Sequence, residues 1–133
     1  MIKIICSLKR KKGLTRQQFR EYYESSHAVM AIKEQGHLMV GYRRNYLMDP
    51  MPRLTDPENK RQVDDEGPDV VTEICLRDQA ALEEFGKIFN DPAKHQMFID
   101  DEKRFLDRDA SRWGICEIVE NDTTKAPVFS YLK

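Results

Sequence analysis

The chain has 133 residues, room for one domain that buries roughly two-thirds of its unfolded surface in a single core. Its 22 basic and 23 acidic residues leave a formal charge of -1, which gives no electrostatic case for nucleic acid or an anionic membrane. The three cysteines, Cys6, Cys75 and Cys116, are far apart in sequence and lack metal-ligand spacing, so they read as reduced thiols of a cytoplasmic protein.

Ile2 to Leu8 is apolar and β-branched at its start and reads as the first strand, closed by Lys9 and Arg10. This start is too short and too strand-like to serve as a targeting peptide, and no apolar run reaches membrane-spanning length. The basic cluster Lys9 to Lys12 reads as a solvated turn at Gly13. A helix is expected from about Thr15 to Gln35, with Thr15 and Gln18 as a capping box and Gly36 as its stop. Phe19, Tyr23 and His27 recur at every fourth position and point His27 towards the interior.

Val40 to Met48 reads as the second strand. Tyr42, Arg44 and Tyr46 share one face, while Arg43, Asn45 and Leu47 share the other; the pattern leaves open which face meets the helices. Asp49 to Pro68 carries four prolines and many charges and reads as a long loop. Asp69 to Leu76 is the third strand. Asp78 caps a helix with the stripe Ala81, Leu82, Phe85, Ile88 and Phe89. Asp91-Pro92 restarts a helix that runs to about Leu106, with His95, Phe98, Ile99, Glu102, Phe105 and Leu106 on its inner stripe. Asp101 falls on the adjacent face, and His95, in the first turn, is expected to be exposed. Trp113 to Val119 is the fourth strand, and 121–133 is a tail with a late apolar patch. The order is βαββαβ, a ferredoxin-like α+β arrangement with a four-stranded antiparallel sheet and helices on one face, over residues 1–120.

The chemistry-bearing candidates follow from this placement. His27 is an imidazole among aromatic residues, able to accept and donate a proton near neutral pH. Glu102 is a carboxylate on a buried stripe, where a charge needs a partner. Its roles are to orient His27, to relay a proton, or to pair with Arg44, Arg108 or Arg112. On the second strand, Arg44 with Tyr46, or Arg43 with Asn45, supplies groups that stabilise an enolate or phenolate, unless an arginine pairs with Glu73 across the sheet. No dinucleotide fingerprint, phosphate loop, zinc signature or nucleophile elbow is present, so no cofactor and no metal are expected.

Four segments together resemble the EthD family of dimeric α+β barrels: K-R-K-K-G-L-T-R-Q-Q-F-R-E-Y-Y-E-S-S-H-A from Lys9 to Ala28, Y-R-R-N-Y from Tyr42 to Tyr46, D-V-V-T-E-I from Asp69 to Ile74, and D-E-K-R-F-L-D-R from Asp101 to Arg108. The resemblance implies a homodimer formed through the sheet and a pocket between sheet and helices, with His27 at the family's histidine position. It implies a cofactor-independent lyase, cyclase or isomerase that moves a proton on a small apolar carbonyl- or phenol-bearing compound, such as an aromatic catabolite or polyketide. In that reading His27 and Glu102 are catalytic, with Glu102 fixing the imidazole tautomer, and Tyr23, Arg44, Tyr46, Phe85 and Phe98 bind substrate. Two other classes stay open: a non-catalytic accessory protein of a catabolic oxidoreductase pathway, and a cofactor-free monooxygenase with Trp113 lining its pocket.

Overall fold

The computed structural model describes residues 1–48 and 67–125. The loop expected over 49–68 and the tail over 121–133 fall mostly outside the described residues. The elements are β1 (Ile2–Arg10), α1 (Arg16–Tyr22), a π turn (Tyr23–His27), α2 (Ala28–Gln35), a short 3-10 turn (Gly36–Leu38), β2 (Met39–Tyr46), β3 (Val70–Leu76), α3 (Gln79–Asn90), α4 (Pro92–Phe105) and β4 (Leu106–Cys116). The strands form one antiparallel sheet in the order β2-β3-β1-β4, so the expected ferredoxin-like arrangement is the one observed.

Local chemistry sets these boundaries. Gly13, at φ 94°, takes the turn after β1 in a conformation that a Cβ disfavours. Thr15 and Gln18 form the capping box, with Thr15 Oγ1 accepting from the Gln18 amide at 3.1 Å and Gln18 Oε1 from the Thr15 amide at 2.9 Å. Asp78 Oδ1 accepts from the Ala81 amide at 2.9 Å and Asp91 Oδ2 from the Lys94 amide at 3.2 Å, so α3 and α4 both start on aspartate caps, with Pro92 opening α4.

Two boundaries differ from the sequence reading. The first helix is interrupted by the π turn, in which the Ala28 amide donates to the Tyr23 carbonyl. The last strand starts at Leu106 and ends at Cys116, rather than spanning Trp113 to Val119. Its first half, Asp107 to Arg112, is polar and shows no alternation because it carries a bulge. Ser7 pairs with Arg112 and Lys9 with Asp107, so the stretch between them on β4 is longer than its partner on β1. Ser111 closes the bulge, donating its hydroxyl to the Asp107 carbonyl at 2.7 Å and accepting from the Lys9 amide at 3.0 Å.

The side chains that meet the helices are Ile4, Cys6 and Leu8 of β1, Tyr42 and Tyr46 of β2, and Val70, Ile74 and Leu76 of β3. They pack in two clusters. One holds Phe19, Tyr23, Ala28, Val70, Phe105 and Leu106; the other holds Ile4, Leu76 and Ala81, with Phe85 and Leu82 against them. The opposite face carries Lys3, whose ammonium meets Glu73 at 2.7 Å, and Asn45, whose amide donates to Glu73 at 3.0 Å. Glu73 is thus occupied by Lys3 and Asn45, although Arg43 stands directly across from it.

Candidate functional site

The site is built where the first helical segment crosses α4. Phe98, Asp101 and Phe105 follow one another at i, i+3 and i+7 and are all buried, so they form the row of α4 that faces the π turn. In a regular α-helix, at 3.6 residues per turn, a residue five positions on is rotated by roughly 140°. The wider π turn reduces that offset, and Tyr22, Ser26 and His27 converge on a single carboxylate. Asp101 Oδ1 accepts from the Tyr22 hydroxyl at 2.7 Å and the Ser26 hydroxyl at 2.9 Å, and Oδ2 lies 3.0 Å from His27 Nδ1.

Burial alone would push the Asp101 carboxyl upward, but hydrogen bonds from Tyr22, Ser26 and His27 outweigh it and hold the group below its ordinary value. At neutral pH Asp101 is therefore an anion that only accepts. The proton between it and His27 belongs to Nδ1, which leaves Nε2 as the nitrogen for exchange. The imidazole is walled by aromatic rings, with Phe105 at 5.1 Å, Tyr23 at 5.8 Å and Phe98 at 6.2 Å between centroids.

Tyr23 continues the site towards the sheet. Its hydroxyl lies 2.8 Å from Thr72 Oγ1 and accepts from the Tyr42 hydroxyl at 3.4 Å. Burial raises the Tyr23 phenol well above the usual range, so it stays protonated. Beyond it lies a second polar group. Glu24 Oε1 accepts from Arg44 Nη2 at 2.6 Å, and Oε2 from Arg44 Nε at 3.0 Å and the Tyr46 hydroxyl at 2.6 Å. The Arg44 fork, chiefly, lowers the Glu24 carboxyl, while burial followed by Glu24 raises the Tyr46 phenol. The guanidinium of Arg44 lies over the Tyr42 ring at 4.4 Å and that of Arg20 over the Tyr46 ring at 4.6 Å.

The structure thus places Tyr42, Arg44 and Tyr46, rather than Arg43 and Asn45, on the helix side of β2. It brings His27, Tyr23 and Phe98 together, and joins Arg44 and Tyr46 through Glu24. Phe85 lies apart, in the cluster around Leu76. Glu102 is corrected most sharply: the carboxylate on His27 is Asp101. Glu102 turns from that row and lies 3.6 Å from Arg108 Nε, one of the pairings its position allowed. It also lies near Cys6, whose thiol is pushed up to about 12 by burial and, secondarily, by Glu102. Asp101 does reach inward, contrary to expectation, and its signal was the Phe98–Asp101–Phe105 spacing. His95 is half-buried, donating from Nδ1 to the Phe89 carbonyl at 3.1 Å.

Two open clefts flank this region. One, of about 300 Å³, is bordered by Arg20, Glu24, Tyr42, Arg43, Arg44 and Tyr46. The other, of about 310 Å³, includes Arg16, Phe19, Arg20, Tyr46, Leu47 and Met48. His27 borders neither. Among the described residues no histidine, cysteine or carboxylate cluster is arranged to hold a metal ion, and no helix is long and apolar enough to cross a membrane.

Residues 11–109 match the EthD domain. The chain belongs to the EthD family. Its fold is shared with solved structures of low sequence similarity. The Arabidopsis thaliana protein At3g17210 is 14% identical, over 92% of this EthD chain and 99% of that protein, with a TM-score of 0.58. HapK from Hahella chejuensis is 11% identical, over 91% and 95% respectively, with a TM-score of 0.55. A dimeric ferredoxin-like protein of unknown function from Thermobifida fusca is 13% identical, over 88% and 90%, with a TM-score of 0.50. No curated protein matches this EthD sequence.

Proposed function

We propose that this EthD protein is a cofactor-independent proton-transfer catalyst of the lyase, cyclase or isomerase kind. Its substrate is a small, largely apolar compound bearing a carbonyl or phenol. The observation that carries this reading is the buried Asp101 carboxylate on His27 Nδ1. An acceptor-only partner fixes the imidazole tautomer, so Nε2 takes a proton from, or returns it to, carbon or oxygen beside a carbonyl. Tyr23 and Phe98, edge-on to the ring, supply apolar walls. Asp101 acts as a positioning residue. Acid/base catalysis of this kind supplies about 10² to 10⁴ in rate.

The test is direct. The protein is incubated in D₂O with a panel of small aryl ketones and 1,3-dicarbonyl compounds, and deuterium uptake next to the carbonyl is followed by NMR. Uptake above buffer that falls at least about 100-fold in His27→Ala, with the variant still folded, is the expected outcome. Uptake unaffected by His27→Ala removes His27 from the chemistry. Binding of these compounds without uptake favours the accessory-protein reading. A homodimer through the open face of the sheet belongs to the same proposal, and the Thermobifida fusca fold relative, described as dimeric, supports it.

A further inference from the structure

The two clefts meet at Arg20 and Tyr46, which line both, in the groove region between α1 and the β2 edge of the sheet. Its charges are unevenly committed. Both oxygens of Glu24 are occupied, and Arg44 spends Nε and Nη2 on Glu24 and Nη1 on the Tyr42 carbonyl at 3.3 Å. Arg43 borders the groove, but strand alternation sends its side chain to the opposite face, across from Glu73. Arg20 differs from both. Its guanidinium carbon lies over the Tyr46 ring at 4.6 Å, and among the described residues it makes no direct ion pair, although its charge helps to lower the Glu24 carboxyl. A stacked guanidinium keeps its in-plane N–H donors pointing outward, in the geometry that matches a carboxylate. On the far side of Arg20 the second cleft is lined by Phe19, Leu47 and Met48 together with Arg16, Gln17 and Asp69, whose carboxylate is already paired with Arg16 at 3.6 Å.

We propose that this groove binds a small amphipathic carboxylic acid, its carboxylate on Arg20 and its apolar body along Leu47 and Met48. A neutral molecule of the same shape leaves the Arg20 donors without their anion. This binding does not depend on the His27 reaction, and its measurement needs no turnover.

The experiment titrates the full chain with phenylacetate and with phenylacetamide, following backbone and arginine Nε–H resonances by NMR. The acid shifts Arg20 Nε–H and the amides of residues 46–48, and binds about tenfold or more tighter than the amide. Arg20→Gln weakens the acid by a similar factor and leaves the amide unchanged, while Arg77→Gln, exposed and outside both clefts, alters neither. Arg20 is exposed, so the variant is expected to fold, and its dispersed spectrum checks this. Equal affinity for acid and amide, or equal weakening by Arg20→Gln and Arg77→Gln, overturns the proposal.

Discussion

Asp101 gathers three donors from Tyr22, Ser26 and His27 onto one buried carboxylate. Replacing it with leucine leaves all three facing an apolar side chain, and each buried donor without a partner costs about 1–3 kcal/mol. The carboxylate also writes a pH dependence into the fold. Its folded-state pKa lies below the ordinary value of about 3.9, so near that value the unfolded chain binds more protons than the native one. Its contribution is complete above the ordinary carboxylate pKa and is lost as pH falls through the depressed one. Urea unfolding measured from pH 7 to pH 2.5 is expected to show a steeper acid-side loss in the native protein than in Asp101→Asn; parallel curves would refute this. At this scale the sequence was only half legible. His27 stood out as an imidazole on an aromatic row. The pattern points to Glu102, one residue beyond its partner, because Ile99, Glu102 and Phe105 also make a plausible stripe and two helix faces separated by roughly 100° both carry a carboxylate.

The helical starts were the most legible elements, since caps are local chemistry: Thr15 with Gln18, Asp78, and Asp91 with Pro92 all act where their residue types suggest. Thr15→Ala removes the acceptor for the Gln18 amide and is expected to cost about 1 kcal/mol, read as a lower midpoint in denaturant with an unchanged slope. The site itself should be little disturbed, because Asp101 meets the helix one turn or more beyond its start. The π turn was not legible. Its residues, Y-E-S-S-H, are ordinary in a helix, and the wider turn is held by tertiary bonds to α4 rather than by local preference. The start of β4 was hidden for a related reason: its bulge breaks the period of two that identifies a strand, and Ser111 and Asp107 hold it through bonds that depend on β1.

For the whole molecule, the alternation of strand and helix patterns already gave the sheet and its layers, and the order β2-β3-β1-β4 follows for a ferredoxin-like chain. What remained open was which face of β2 meets the helices, because both faces carry an arginine. The aromatic pair Tyr42 and Tyr46 decides it by packing against the cluster of Phe19 and Tyr23. The other face, with half-buried Val71 and Ile5 around the Lys3–Glu73 pair, is the surface of the proposed dimer. Val71 is a suitable probe: sedimentation is expected to show a dimer for the native chain and a monomer for Val71→Arg, and a native monomer at tens of micromolar would refute the dimer.

The sheet order also has a consequence in time. β1 leaves the ribosome before the other three strands, yet it lies between β3 and β4 and is flanked on both sides only when the last strand arrives. His27 likewise waits for an acceptor 74 residues further along the chain. Such distant pairings are slow to close. The imidazole thus gains its orientation only as folding finishes, and no nascent chain shorter than Asp101 carries a formed site.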